Sequence, residues 1–181
     1  MKLIILDRDG VINQDSDAYI KSPDEWIPIP GSLEAIAKLN REGYSVAVAT
    51  NQSGLARGYF DLKALSDMHR KMETLLSDLG GQIDAIFYCP HGPEDGCSCR
   101  KPAPGLLHEI GERFQVSLNK VFFIGDTISD MKAASAAGVN PVLVRTGKGK
   151  KTEKQLHEHG FKNIPVHHDL ATAVDAILEI A

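Results

Sequence analysis

The sequence predicts an α/β fold, a Rossmann-like three-layer sandwich with a mainly parallel sheet. Short β-branched runs alternate with segments of helical periodicity, which is the order of repeated βαβ units. Each predicted strand is almost wholly apolar, as expected for strands covered by helices on both faces. The 181 residues, 43% of them hydrophobic, are enough for one core and too few for two ordinary domains. We therefore expect a single domain over residues 1–181.

Strands are predicted at the apolar runs, which are residues 2–6, 44–50, 83–88, 120–125 and 141–144, with a further short one near 164–167. Helices are predicted between them, over residues 32–42, 61–79, 104–115, 129–137 and 169–180. Side chains suited to N-caps stand at or near their starts: Ser32, Asp61, Ser129 and Asp169. The basic run 145–154 is expected to be a solvated surface loop.

Charge and hydropathy exclude several classes of function. The formal net charge of −4 argues against a protein that binds nucleic acid by neutralising its phosphates. No segment approaches the ~20 apolar residues that span a bilayer, and the first apolar run ends at Leu6, so we expect neither a membrane partner nor a signal peptide. Because the sequence shows no heptad repeat and no large apolar patch, we expect a monomer. We expect its partner to be a small molecule.

Polar side chains follow four of the predicted strands. In an open parallel sheet, ligands bind in the crevice beyond the carboxyl ends of the strands, so these side chains are expected to share one pocket. They are Asp7 and Asp9, Thr50 and Asn51, Arg100 and Lys101, and Asp126. Any single Asp of this kind is more often a turn residue or a helix cap. Four strand ends that carry such groups together argue against coincidence.

This set of groups suits magnesium-dependent phosphoryl transfer. Asp7 and Asp126, with a backbone carbonyl near Asp9, can supply the hard oxygen ligands that Mg²⁺ prefers. The cation would offset repulsion between Asp7 and a dianionic phosphate, so that Asp7 can attack phosphorus. Asp9 can protonate the leaving oxygen and later deprotonate the water that hydrolyses the phosphoenzyme.

The remaining polar groups can hold the transferring oxygens. We expect Thr50 to do so by a hydrogen bond and Lys101 by its charge. Asp130, one helical turn beyond Asp126, is expected to steady metal-bound water.

The three cysteines fall within eleven residues, which favours a metal site over a disulfide framework and indicates the reducing cytoplasm. The pattern C-x-H-x₅-C-x-C gives three thiolates and one imidazole, a closed tetrahedral set typical of structural Zn²⁺. The ligands are Cys89, His91, Cys97 and Cys99. The alternative is a chance cluster of free cysteines. Residues 89–101, the cysteine loop, cannot build a core of their own, so we expect zinc to position Arg100 and Lys101 without taking part in the chemistry.

Four blocks of this sequence resemble the motifs of the haloacid dehalogenase (HAD) superfamily of phosphatases, and more closely its heptose-bisphosphate and histidinol-phosphate phosphatase branch. The blocks are LDRDG (6–10), TNQSG (50–54), CRKPAPG (99–105) and GDTISD (125–130). The likeness runs from residue 3 to about 147. It implies a HAD-like fold without a large cap domain, zinc in the cysteine loop, and an aspartyl-phosphate mechanism with Mg²⁺.

Residue by residue, the resemblance implies that Asp7 is the nucleophile, Asp9 the general acid/base and Asp126 a magnesium ligand. Thr50 and Lys101 match the residues that stabilise the phosphoryl group. Substrate contacts are implied for Asn51, Gln52, Ser53 and Arg100. The family often shows Asp-x-Gly-Tyr after the second aspartate, whereas this chain is one residue longer and lacks the glycine; by that partial match Asp15, Asp17 and Tyr19 are further candidates.

Several substrates remain open at this point. The resemblance favours removal of the 7-phosphate of D-glycero-D-manno-heptose 1,7-bisphosphate, a step towards nucleotide-activated heptose for lipopolysaccharide or S-layer glycans. Histidinol phosphate is the nearest alternative, but histidinol-phosphate phosphatases tend to have an acidic residue where Ser53 stands. A polynucleotide end-phosphatase is disfavoured by the acidic net charge. A non-enzymatic, zinc-ordered interaction module would be expected to have lost some of the catalytic residues, yet all are present.

Overall fold

The computed structural model describes residues 1–181 and contains six strands in one sheet. They are β1 (Lys2–Leu6), β2 (Tyr44–Asn51), β3 (Ala85–Cys89), β4 (Phe122–Gly125), β5 (Asn140–Val144) and β6 (Val166–His167). The strand order is β3-β2-β1-β4-β5-β6, and every pairing is parallel. The predicted parallel α/β architecture is confirmed.

Five of the six α-helices connect successive strands, and the sixth follows the last strand. They are α1 (Ser32–Arg41), α2 (Leu62–Asp78), α3 (Gly105–Phe114), α4 (Ile128–Ala137), α5 (Gly149–Gln155) and α6 (Leu170–Ile180), with short 3₁₀ turns at Pro23–Glu25 and Leu118–Lys120. The five predicted helices are present within two residues of their expected bounds. None of the helices combines the length and the apolar character that a membrane crossing requires.

Side chains that alternate between the two faces of the sheet produce the three layers. Ile4 and Leu6 of β1 belong to a core shared with α1, α2 and α6, whereas Leu3 and Ile5 belong to a second core shared with α3 and α4. Successive strand side chains point to opposite faces, so a continuous apolar run fills both cores. The sheet is thus buried on both sides, and its functional groups lie beyond the strand ends.

The order of the strands brings the first and fourth strand ends together. The chain passes from β1 through β2 to β3 on one side and then crosses to β4 on the other side of β1. Leu6 is paired with Ile124, and the Asp7 amide donates a hydrogen bond of 2.9 Å to the Ile124 carbonyl. Asp7 and Asp126 therefore lie side by side at the point where the strand order reverses, the usual position of a ligand site in such sheets.

The expectation of a solvated loop over residues 145–154 was wrong, because Gly149–Gln155 form α5. Thr152 is buried and its hydroxyl donates to the Asp126 carbonyl at 2.7 Å. Arg145 and Glu153 form a two-point ion pair at 2.8 and 2.9 Å on the exposed side. The short helix is fixed by these contacts across the chain, which local charge composition does not reveal.

Two of the four expected N-caps are confirmed. The Asp61 and Asp169 carboxylates accept hydrogen bonds from the first turns of α2 and α6. Ser32 lies inside α1 after Gly31, and its hydroxyl instead donates to the Val11 carbonyl at 2.9 Å. Ser129 also lies inside its helix, because Thr127 and Asp130 form a capping box at the start of α4.

Candidate active site

A polar cleft of about 320 Å³ opens at the carboxyl ends of the strands. All of the predicted catalytic, magnesium and substrate residues line it except Gln52: Asp7, Asp9, Asp15, Asp17, Tyr19, Thr50, Asn51, Ser53, Arg100, Lys101 and Asp126. Gln52 is buried behind the wall, where its amide donates to the Thr50 hydroxyl at 2.9 Å. The structure thus places Gln52 where it orients Thr50.

A buried lysine joins two carboxylates at the bottom of the cleft. The Lys101 ammonium lies 3.0 Å from Asp7 Oδ1 and 2.7 Å from Asp130 Oδ1, and it donates to the Ala49 carbonyl at 2.8 Å. Its side chain is 3% exposed. The ammonium group donates hydrogen bonds to Asp130 and Ala49 and is in ion-pair contact with Asp7, so Lys101 is fixed rather than mobile. With Asp126 they form what we call the carboxylate floor: Asp7, Lys101, Asp126 and Asp130.

Carboxylates outnumber cations in this floor, and the pKa values reflect the excess. Burial and the nearby Asp130 raise the pKa of Asp7 well above its usual value, and burial and Asp130 also raise the pKa of Asp126 to about 8. Although burial opposes charge, Lys101 holds the pKa of Asp130 below its usual value. A single lysine therefore compensates one carboxylate well and leaves the other two short of positive charge.

The floor fits a hard divalent cation. Carboxylate oxygens of Asp7, Asp126 and Asp130 lie within 4.8 Å of one another, and buried Asp126 Oδ1 has no hydrogen-bond partner. The other Asp126 oxygen accepts from the Lys148 amide at 2.9 Å. Gly10 and Gly147 both have positive φ, and a Cβ on either would collide with the Asp126 carboxylate. The two glycines thus let the backbone approach the Asp126 carboxylate closely, and its other buried oxygen, Oδ1, is left without a protein partner.

Asp130 also makes protein contacts that the sequence did not indicate. Its Oδ1 pairs with Lys101, and its Oδ2 accepts from the backbone amides of Asp126 and Thr127, each at 3.1 Å. Both oxygens are therefore engaged by the protein. Asp130 caps α4 and orients Lys101, two jobs that its position one turn into the helix allows.

Asn51 links the floor to the cysteine loop. Its side-chain amide donates to the Lys101 carbonyl and its oxygen accepts from the Lys101 amide, both at 3.0 Å. These two bonds fix the backbone of Lys101 from β2. Although Asn51 lines the cleft, its amide is thus occupied by positioning Lys101.

The rim contains a cation that the sequence pattern did not reveal. Lys148, in the run expected to be a solvated loop, lines the cleft, and its ammonium lies 2.8 Å from Asp15 Oδ2. Tyr19, at a positive φ of 66°, packs against Tyr59 with ring centroids 5.1 Å apart. For Lys148, the one signal in the sequence was the preceding Gly147, because a glycine between polar residues often marks a place where the backbone closely approaches another group.

The cysteine loop brings its four predicted ligands together. Cys89 Sγ lies 3.4 Å from His91 Nδ1, 3.6 Å from Cys97 Sγ and 2.9 Å from Cys99 Sγ, and all four ligand atoms lie within 4.8 Å of one another. Tetrahedral zinc with bonds of about 2.3 Å to sulfur needs edges of about 3.7 Å, close to most of these separations. The donor set and its spacing therefore fit structural Zn²⁺.

The same loop holds Arg100. Its backbone amide donates to Cys97 Sγ at 3.4 Å, and its guanidinium reaches the His91 carbonyl at 3.5 Å. Although burial would raise it, the Arg100 amide and the neighbouring thiols lower the pKa of Cys97 to about 7. Burial and the Cys99 thiol raise the pKa of Cys89 to about 12. The hydrogen bonds that Arg100 donates thus go to ligand residues of the loop.

Comparison with known proteins identifies the family of this chain. A family model described as HAD-hydrolase-like matches residues 98–173. D-glycero-β-D-manno-heptose-1,7-bisphosphate 7-phosphatase of Pseudomonas aeruginosa is 55% identical, covering 98% of both chains, and the enzyme of that name from Pseudomonas putida is 59% identical, covering 87% of this chain and 91% of its own.

A solved structure gives the same result for the fold. The D,D-heptose 1,7-bisphosphate phosphatase of Bordetella bronchiseptica, complexed with magnesium and phosphate, superposes with a TM-score of 0.95 at 54% identity over the whole of both chains. Both the fold and the sequence agree along the full length. This chain therefore belongs to the HAD-like hydrolases, in the family that contains the heptose-bisphosphate 7-phosphatases.

Proposed function

We propose that this chain removes the 7-phosphate of D-glycero-β-D-manno-heptose 1,7-bisphosphate, a step in the synthesis of nucleotide-activated heptose. The observation that carries the proposal is the carboxylate floor, in which Asp7 is fixed by Lys101 at the bottom of a polar cleft. The names of relatives at 55% and 59% identity support the choice of substrate.

The reaction follows from the positions of the aspartates. An Asp7 oxygen forms a bond to phosphorus while the bond from phosphorus to the sugar oxygen breaks, and the departing oxygen takes a proton from Asp9. Water then attacks the phosphorus, Asp9 takes its proton, and the bond to Asp7 breaks to restore the carboxylate. Thr50 and Lys101 hold the transferring oxygens by hydrogen bond and charge.

Two metal ions are part of the proposal. Asp7, Asp126 and the backbone carbonyl of Asp9 would hold Mg²⁺, which supplies positive charge that offsets the repulsion between carboxylate and phosphate. Two observations support this site: buried Asp126 Oδ1 has no hydrogen-bond partner, and the Bordetella enzyme was solved in complex with magnesium. Cys89, His91, Cys97 and Cys99 would hold Zn²⁺ as a clip for the cysteine loop.

We place substrate recognition on the rim. The rim residues that line the cleft are Arg100, Ser53, Asp15, Asp17 and Tyr19. Arginine matches phosphate oxygens with two parallel donors, so Arg100 suits the second phosphate of a bisphosphate. We also propose that one domain suffices and acts as a monomer in the reducing cytoplasm, where thiolates remain available to zinc.

A substrate comparison tests the assignment. Phosphate release is measured with Mg²⁺ from both anomers of the heptose 1,7-bisphosphate, from histidinol phosphate and from an aryl phosphate, and the product is identified by NMR. We expect the heptose bisphosphate to have the highest kcat/KM and to lose the 7-phosphate. A higher kcat/KM for histidinol phosphate would overturn the assignment.

Histidinol phosphate is the second candidate because of one feature of the rim. Asp17 lines the cleft and forms no ion pair, so it could accept an ammonium group. Ser53 in place of an acidic residue and the names of the relatives favour the heptose substrate. The substrate comparison decides between the two.

A further inference from the structure

One carboxylate oxygen of Asp9 accepts hydrogen bonds from two neighbouring side chains. Asp9 Oδ1 accepts hydrogen bonds from Arg8 Nε at 2.8 Å and from Asn13 Nδ2 at 2.9 Å. Arg8 Nη2 lies 2.8 Å from the same oxygen as an ion-pair contact without hydrogen-bond alignment. The other oxygen, Oδ2, has one distant donor, Gln52 Nε2 at 3.5 Å. The carboxylate is thus anchored through one oxygen and free at the other.

The anchor itself is fixed by a residue from a different element. The Arg8 side chain is fully buried, and its Nη1 lies 3.2 Å from Nε2 of His69 on α2. Burial, followed by the charge of Arg8, lowers the pKa of His69 to about 4, so the imidazole is neutral near pH 7. A neutral imidazole nitrogen without a proton can accept from the guanidinium, whereas a protonated one would repel it.

His69 lies on the inward stripe of its helix. Leu65, Met68, Met72 and Leu76 are the buried residues of α2, and position 69 follows the same helical spacing. A histidine in such a stripe needs a polar partner, and the partner here is an arginine 61 positions earlier in the chain.

We propose that His69 and Arg8 are positioning residues that hold Asp9 with its free oxygen directed to the substrate's leaving oxygen. The inference rests on the proposed role of Asp9 as general acid. Since proton transfer needs the acid within hydrogen-bond reach of the leaving oxygen, loss of the His69 contact loosens Arg8, then Asp9, and slows the departure of poor leaving groups most. A phenolate leaves without a proton, whereas a sugar alkoxide requires one.

The test compares two leaving groups in matched variants. kcat/KM is measured for the heptose bisphosphate and an aryl phosphate with wild type, His69→Leu, His69→Gln, Asp9→Asn and, as a control, His108→Leu at an exposed position of α3. This parameter reports the steps up to release of the leaving group, before water attack. His69 is substituted because the partly exposed helix position tolerates change better than the fully buried Arg8, and circular dichroism checks the fold of each variant.

We expect Asp9→Asn to lower the sugar-to-aryl ratio of kcat/KM by about 10²-fold or more and His69→Leu to lower it by about tenfold. His69→Gln, whose amide oxygen can accept from Arg8, should recover most of the ratio, and His108→Leu should leave it unchanged. If His69→Leu lowers kcat/KM equally for both substrates while Asp9→Asn still lowers the sugar-to-aryl ratio, the positioning role of His69 is wrong and the general-acid role of Asp9 stands. If Asp9→Asn leaves the sugar-to-aryl ratio of kcat/KM unchanged, both the general-acid role of Asp9 and this inference are wrong. If the wild type hydrolyses other alkyl phosphates better than the heptose bisphosphate, only the proposed substrate is wrong.

Discussion

The carboxylate floor and the cysteine loop carry neighbouring residues of the chain, Lys101 and Arg100, yet they are held by different forces. Lys101 is fixed by Asp7, Asp130, Ala49 and Asn51, all of which belong to strands, helix starts or their ends. Arg100 is fixed by Cys97 and His91, which belong to a loop without regular structure. Under the proposed function, this difference means that the chemical groups are anchored in the sheet, while substrate recognition depends on the proposed zinc clip.

The largest effect is expected from removing the nucleophile. Asp7→Asn keeps the shape of the floor but cannot form the aspartyl phosphate, so kcat should fall by at least about 10⁴-fold. Steady-state phosphate release with Mg²⁺ measures this loss, with exposed Asp24→Asn as the control. Residual turnover within tenfold of wild type would contradict the assignment of Asp7.

The floor should also make stability depend on pH. The pKa of Asp126 is about 8 in the fold, against a usual value of 3.8, so the folded state binds a proton that the unfolded state has already lost. Metal-free protein should therefore lose stability as the pH rises from about 4 to about 8. Denaturant unfolding across this range measures it. Asp126→Asn should make the profile shallower, although Asp7, whose pKa is also raised, keeps part of the slope, and added Mg²⁺ should flatten it. A profile of the variant as steep as that of wild type would place the cause elsewhere.

Zinc removal should affect the loop and spare the floor. Since Arg100 is anchored only within the loop, zinc-free protein should show a KM raised by about tenfold, a lower melting temperature and a smaller change in kcat. Cys97→Ser should behave likewise, and Ser98→Ala, at an exposed position beside the ligands, serves as control. A collapse of kcat at constant KM would show that the loop holds Lys101 instead, and full retention of both would contradict a clip.

The smallest effect is expected at the joint between the two regions. Asn51→Ala removes both hydrogen bonds to the Lys101 backbone, each worth about 1 kcal/mol. The free energy of unfolding should fall by about 2 kcal/mol, and kcat should fall by severalfold because Lys101 keeps its carboxylate partners. Chemical denaturation and kinetics measure the two, with exposed Asn119→Ala as control. A rise in KM alone would indicate that Asn51 contacts substrate rather than Lys101.

The sequence predicted those parts of the molecule that local pattern determines. Apolar runs indicated the parallel strands, and polar residues at strand ends, such as Asp7 and Asp126, indicated the members of the cleft. The spacing of the cysteines indicated the cluster of ligand atoms. In each case the signal lies within a few residues of the feature.

What the sequence did not predict depends on contacts between distant segments. Helix α5 is held by Thr152 against the Asp126 carbonyl, Lys148 reaches Asp15, and His69 reaches Arg8 across 61 positions. Local charge made the segment of Lys148 resemble a solvated loop. The contact of Asp130 with Lys101 joins residues 29 positions apart, and the expectation that Asp130 steadies metal-bound water stays a prediction. Such partners are set by the packing of elements, which no local window contains.

The most direct measurement of the central claim is detection of phosphate on Asp7. The enzyme is mixed with excess heptose bisphosphate and Mg²⁺, quenched in acid within one turnover, and its peptides are examined by mass spectrometry. We expect a phosphoryl group on Asp7 that disappears when substrate is exhausted and is absent from Asp7→Asn. Phosphate release at the normal rate with no phosphoryl group on Asp7 at any time would contradict the account.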